Sequence, residues 1–130
     1  MLVDTSGLFA ILAPDEPHHQ LGCQWLLRAR SPVVHSYVFA ELVALFETRR
    51  KPRQIALDFI QTAIDNRELK IVWLTEGDFR QALALLHARP DKQYSLCDAA
   101  SFVIMRRMNI REALTTDRHF EQEGFVRLLK

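Results

Sequence analysis

Leu69-Lys70-Ile71-Val72-Trp73-Leu74 is the stretch on which the fold assignment turns. β-Branched and aromatic residues dominate it, and it is too short for a helix of ordinary length. A four-helix bundle leaves this segment unexplained. A strand here, set between helical runs, implies βαβ crossovers and therefore a mainly parallel sheet covered on both faces. The composition and length of the segment predict that it is the central strand.

Working outward, Met1-Leu2-Val3 reads as a short buried strand opening into a polar turn at Asp4-Thr5-Ser6-Gly7. Leu8, Phe9, Ile11 and Leu12 form a helical face that ends before Pro14. Asp15 suits the cap of the next helix, with Pro17 in its first turn and Leu21, Trp25 and Leu26 on its apolar face. Pro32 stops that helix and Val33-Val34 is a short strand. Ser36 suits the cap of a helix carrying Phe39, Leu42, Val43 and Phe46, and a further helix starts at Pro52. Beyond the quoted segment, Thr75 and Asp78 have capping-box spacing, and Ser95 and Asp98 repeat it. Ala113-Leu114-Thr115 is a strand ended by Thr116-Asp117, and Phe125 to Leu129 an edge strand. The expected architecture is a three-layer α/β/α domain over residues 1–130, with no linker to divide it.

The 130 residues carry 17 Lys+Arg against 16 Asp+Glu, a formal charge of +1. So weak an overall field cannot hold a polyanion, and a nucleic acid would need a local basic patch or metal ions. Cys23 and Cys97, 74 positions apart, make no CxxC pair and cannot build a four-thiolate zinc site; reduced, buried thiols are expected. No basic stretch followed by a long apolar one opens the chain, and no apolar run reaches the 18 residues a bilayer span needs. A cytoplasmic protein without a membrane partner is expected.

Four acids stand out. Asp4 and Asp117 each end a predicted strand beside a hydroxyl residue, and strand ends on one edge of a parallel sheet converge on a crevice. Asp98 opens a helix, where free N–H groups favour a negative charge. Glu41, amid Phe39, Leu42 and Val43, can reach the same mouth from its helix. Three have an ordinary alternative: a strand-exit turn for Asp4, a helix start for Asp98, a surface ion pair with Arg118 for Asp117; Glu41, amid apolar neighbours, needs an exposed face or a partner. Two carboxylates about 4 Å apart repel by about 4 kcal/mol at an effective dielectric near 20. Protonation or a cation must relieve that repulsion. Hard oxygen donors suit Mg²⁺ or Mn²⁺, and such a site fits phosphodiester hydrolysis. No GxSxG element or Asp-x-Asp pair supports a serine hydrolase or an aspartyl phosphatase, and the dispersed histidines give no metal-site spacing.

At Leu2-Val3-Asp4-Thr5-Ser6, Phe39-Ala40-Glu41-Leu42, Leu96-Cys97-Asp98-Ala99-Ala100 and Leu114-Thr115-Thr116-Asp117-Arg118-His119-Phe120, the sequence resembles the PIN-domain family, and within it the small VapC-like toxin ribonucleases. The ordered set runs from the first strand to the last segment. The resemblance implies a Mg²⁺- or Mn²⁺-dependent endoribonuclease using Asp4, Glu41, Asp98 and Asp117. Asp4, Asp98 and Asp117 are its implied metal ligands, and Ser6 and Thr116 line the site. It further implies a homodimer and a cognate antitoxin. Arg49, Arg50, Lys51 and Arg53 are candidates for RNA phosphate contacts, against the more ordinary reading of a solvated helix end and linker. The alternatives are a nuclease acting on structured DNA or maturing an RNA, and a metal-binding interaction module without turnover.

Overall fold

The computed structural model describes residues 1–130. Its centre is a strand of only two residues, β1 (Leu2–Val3), both fully buried. Around it lie β2 (Val33–His35), β3 (Lys70–Val72), β4 (Glu112–Leu114) and β5 (Val126–Arg127), in the order β3-β2-β1-β4-β5. Every pairing is parallel: Leu2 sits opposite Val33 on one side and Ala113 on the other. All strands therefore end at the same edge.

The helices between them are α1 (Thr5–Leu12), α2 (His19–Arg28), α3 (Ser36–Thr48), α4 (Arg53–Asn66), α5 (Glu76–Ala88), α6 (Leu96–Arg107) and α7 (His119–Gln122). Successive strand residues point to opposite faces, and the core divides accordingly. Val3, Val34 and Leu114 pack with Leu8, Phe9, Phe39 and Phe46 from α1 and α3. Leu2, Val33 and Ala113 pack on the other face with Phe102, Ile104, Met105 and Phe120 from α6 and α7. Two cores separated by one sheet make the three-layer α/β/α fold.

Some expectations are corrected. The segment around Ile71 is an edge strand, not the central one: Lys70 is exposed, Ile71 and Val72 are half-buried, and Trp73 is 58% exposed. Its composition signalled a strand correctly, but position in a sheet follows from how many faces and neighbours are covered, and the shorter β1 is covered on all sides. The polar turn expected at Asp4-Thr5-Ser6-Gly7 is absent, because α1 starts at Thr5 immediately after β1. Asp15 does not cap α2, which begins at His19. It pairs instead with Lys51, 2.7 Å away. Ser36 is already helical, and its Oγ accepts a bond from the Leu74 N–H at 3.0 Å, tying α3 to the end of β3. α4 ends at Arg67, which takes the left-handed conformation with φ 56°. Both capping boxes are present, Thr75 with Asp78 and Ser95 with Asp98. Cys23 and Cys97 are free thiols.

The abrupt entry into α1 requires Gly7. A Cβ there would lie 2.1 Å from the Leu114 carbonyl oxygen, so the helix can lie against β4 only without a side chain at that position. Gly7→Ala is expected to lower unfolding stability by roughly 3 kcal/mol through overpacking against backbone. Urea denaturation checks this; an unchanged midpoint would show that α1 can move away from β4 freely.

Candidate metal centre

The common strand edge opens into a cleft of about 460 Å³, lined by Asp4, Ser6, Glu41, Asp98, Thr116 and Asp117 together with Thr5, Arg49, Gln93, Ser95 and His119. Four separate elements deliver the acids. Asp4 follows β1, Glu41 sits in the second turn of α3, Asp98 in the first turn of α6, and Asp117 between β4 and α7. Residues up to 113 positions apart in sequence thus share one mouth because the sheet is parallel.

Asp4 is the most buried of the set, 4% exposed. Although it precedes α1, its side chain does not cap that helix. Its Oδ2 accepts a bond from Thr115 Oγ1 at 2.8 Å and from Ser6 Oγ at 3.3 Å. Its Oδ1 is buried and has no hydrogen-bond partner in the protein. Burial, reinforced by the charges of Asp98 and Glu41, pushes the Asp4 carboxyl up to about 7 against the lowering effect of the Thr115 bond. Ser6 in turn accepts the Thr116 N–H at 3.0 Å.

Asp98 owes its place to helix capping. The Ser95 N–H donates to Asp98 Oδ2 at 3.0 Å, and the Asp98 N–H donates to Ser95 Oγ at the same distance. His119 Nδ1 lies 3.1 Å from that Oδ2 and 3.4 Å from Asp117 Oδ2. The His119 N–H donates to Asp117 Oδ1 at 2.9 Å, and the Asp117 N–H to Thr115 Oγ1 at 3.0 Å. Ligand atoms of Asp98, Asp117 and His119 all fall within 4.8 Å of one another.

Two contributors escaped the sequence reading. His119 is one of the dispersed histidines without metal-site spacing, yet its imidazole faces two of the acids. The signal for it was its offset of two from Asp117 at a strand exit, where a short turn folds the side chain back over the carboxylate. In the sequence Thr115 is only the end of a strand, and it is this hydroxyl, fully buried, that holds Asp4. Of the basic candidates only Arg49 borders the cleft, where it also faces Glu16 at 3.7 Å. Lys51 is engaged by Asp15 and Arg53 by Glu47 at 3.3 Å, while exposed Arg50 lies outside the cleft. Attraction to their own acids explains why that run does not form a wall of the mouth. Burial, with the charges of Glu41, Asp4 and Asp98, pushes the Cys97 thiol up, which leaves it no nucleophilic role.

A divalent cation suits what the residues present. The donors grouped together are carboxylate oxygens of Asp98 and Asp117 with the His119 imidazole; Asp4 is not in that group but lines the same cleft with a buried oxygen that has no hydrogen-bond partner. The alternative remedy is a proton on Asp4.

That alternative carries a pH signature in chelated protein. A carboxyl raised from 3.8 to about 7 binds its proton more tightly when folded. Its stabilising contribution is complete below about pH 4 and is lost as pH rises through 7, on the order of 4 kcal/mol. Buried His35, pushed down to about 4 by desolvation, has the opposite slope between about 4 and 6.5. The clean readout is therefore the stability of Asp4→Asn minus that of wild type in EDTA. It is expected to grow between pH 4 and 7 and then level off; parallel pH profiles for the two proteins would contradict the burial cost assigned to Asp4.

The comparisons with known proteins agree with this geometry. Residues 1–125 match the PIN domain family model. Among solved structures, VapC20 of Mycobacterium tuberculosis, described as a sarcin-ricin loop cleaving toxin, is similar at 26% sequence identity and a TM-score of 0.86, over 99% of this chain and 98% of that one. No match is found among curated protein sequences. With its strand order, its acid-lined strand edge and the family match over nearly its whole length, the chain belongs to the PIN-domain family.

Proposed function

We propose that this protein is a Mg²⁺- or Mn²⁺-dependent endoribonuclease that works as one domain and forms the toxin half of a toxin–antitoxin pair. The observation that carries the chemistry is the meeting of Asp4, Glu41, Asp98 and Asp117 in one cleft, with a buried Asp4 oxygen lacking any partner. So much negative charge repels a nucleic acid backbone unless a cation intervenes.

Asp4, Asp98 and Asp117 would hold the cation, with His119 at their side. When bound, it supplies the positive charge that lowers the pKa of an attacking water and stabilises the leaving oxyanion. The chain's own groups do the rest. Thr115 and Ser6 fix the Asp4 carboxylate through Oδ2 and leave Oδ1 free of hydrogen bonds. The α6 capping box holds Asp98 against rotation. Glu41, half-buried in the same cleft, would help position the attacking water. Arg49 is the cleft's own cation and is placed to receive a substrate phosphate.

RNA as substrate is supported by the likeness to VapC20, whose described activity is cleavage of the sarcin-ricin loop. That likeness also supports the toxin role; a homodimer and a cognate antitoxin are proposed from the resemblance of the sequence motifs to VapC-like toxins alone. No helix is long and apolar enough to cross a membrane.

Asp4→Asn and Asp98→Asn are expected to lower Mg²⁺-dependent RNA cleavage by roughly a hundredfold or more while the fold survives. Purified wild type and variants, checked by circular dichroism, are incubated with RNA, single-stranded DNA and a DNA flap. Undiminished RNA cleavage in both variants would refute the metal-site assignment. Cleavage confined to a DNA substrate would replace RNA by DNA, and stable association without product would identify a non-enzymatic module.

A further inference from the structure

Glu123, the residue after α7, lies outside the cleft, yet only 4% of its side chain is exposed. It gathers donors from three segments: Tyr94 Oη at 2.9 Å, Arg89 Nη2 at 3.0 Å and Arg106 Nη2 at 2.9 Å. Burial opposes its ionisation, but the bonds from Tyr94, Arg89 and Arg106 prevail and hold the carboxyl below its ordinary range. A carboxylate at a helix C-terminus is disfavoured by the helix dipole, so these donors are what keep it there.

The object held by this clamp is the Tyr94 ring. It meets Phe102 at a centroid distance of 5.0 Å, and on its other side His119 at 5.3 Å with the planes 63° apart. Packing against Phe102 alone needs no hydroxyl. The bond at Oη fixes the far end of the ring and removes its freedom to swing. His119 and Glu123 are also four residues apart, so the imidazole and the clamped carboxylate lie one helical turn from each other. The contacts run without a gap from Glu123 through Tyr94 and His119 to Asp98 and Asp117.

We propose that Tyr94, locked by Glu123, Arg89 and Arg106, is a positioning residue that sets the His119 imidazole against Asp98 and Asp117 and so tunes the cation affinity of the cleft. Tyr94 touches neither cation nor substrate in this role. The inference rests on the metal-dependent reading above.

The test titrates the full chain with Mn²⁺, following the free-ion signal by electron paramagnetic resonance, alongside thermal melts and the His119 ring-proton resonance. Tyr94→Leu and His119→Ala are each expected to weaken Mn²⁺ binding about tenfold. The double variant should bind no worse than His119→Ala, since both lesions act through one imidazole. Tyr94→Phe, which keeps the ring but loses the Oη bond, should bind Mn²⁺ with an affinity between those of wild type and Tyr94→Leu, and Glu123→Gln should shift the His119 resonance. If Tyr94→Leu does not fold, Tyr94→Phe and Glu123→Gln carry the test: shifted His119 resonances support it and unmoved ones overturn it. Lower melting temperature with unchanged Mn²⁺ affinity and unmoved His119 resonance would reduce Tyr94 to core packing. Loss of Mn²⁺ by Asp98→Asn alongside wild-type affinity in Tyr94→Leu and Glu123→Gln overturns this inference alone. Full Mn²⁺ binding by Asp98→Asn overturns the metal reading and the inference with it.

Discussion

Like charges forced together at one edge of a parallel sheet are the constraint around which the molecule is arranged. β1 is hydrogen-bonded on both sides and covered on both faces, so the residue that leaves it has little access to water. That residue is Asp4. Glu41, Asp98 and Asp117 converge on the same mouth because β2 and β4 run parallel to β1 and their crossovers start at the same edge. A carboxylate in such a place must be protonated, paired or bound to a cation. The protein supplies Asp4 with two hydroxyls and no cationic side chain, which leaves the charge itself unanswered.

The contrast between the two capping boxes shows what is particular to this edge. Thr75-Asp78 and Ser95-Asp98 have the same spacing and close the same pair of bonds at the starts of α5 and α6. Asp78 is neutralised by Arg107 across the α5–α6 pair, and its carboxyl is held below the ordinary range: burial works against this, and the Arg107 bond outweighs it. Asp98 meets no such guanidinium, only the His119 imidazole shared with Asp117. One box ends as a structural ion pair and the other as part of an acid cluster. Elsewhere most acids near a cation are paired off, as in Lys51 with Asp15 and Arg127 with Glu121. Asp58, Asp65, Glu68 and Glu112 are also without a cation, but they stand apart and exposed to water; only in the cleft do several acids converge with one of them buried, the arrangement expected of a functional site.

Much of this was readable from residue types. The alternation of short apolar strands with helical runs implied the three-layer fold, and the strand-exit and helix-start positions of Asp4, Asp98 and Asp117 brought them to one edge. What failed was information that local composition does not carry. The Ile71 segment looks more strand-like than Leu2–Val3, yet the latter is central, because a two-residue strand is too short to leave a periodic signal. Thr115 and Thr116 are adjacent hydroxyl residues, and only the register of β4 against β1 decides that Thr115 reaches Asp4. His119 joins the cleft through the turn after β4, with only its offset of two from Asp117 to signal it, and no spacing rule places the Tyr94 ring, from the segment before α6, against its imidazole. The run from Arg49 to Arg53 looked like one basic patch until the placement of Asp15, Glu16 and Glu47 divided it.

The central claim is that the acids of the cleft hold a divalent ion in common. Anomalous diffraction from crystals soaked in Mn²⁺ tests it most directly. The account predicts a peak in the cleft about 2 Å from carboxylate oxygens of at least two of Asp4, Asp98 and Asp117, absent in Asp98→Asn crystals. A peak seated elsewhere, or a fully occupied one that persists without the Asp98 carboxylate, would contradict it.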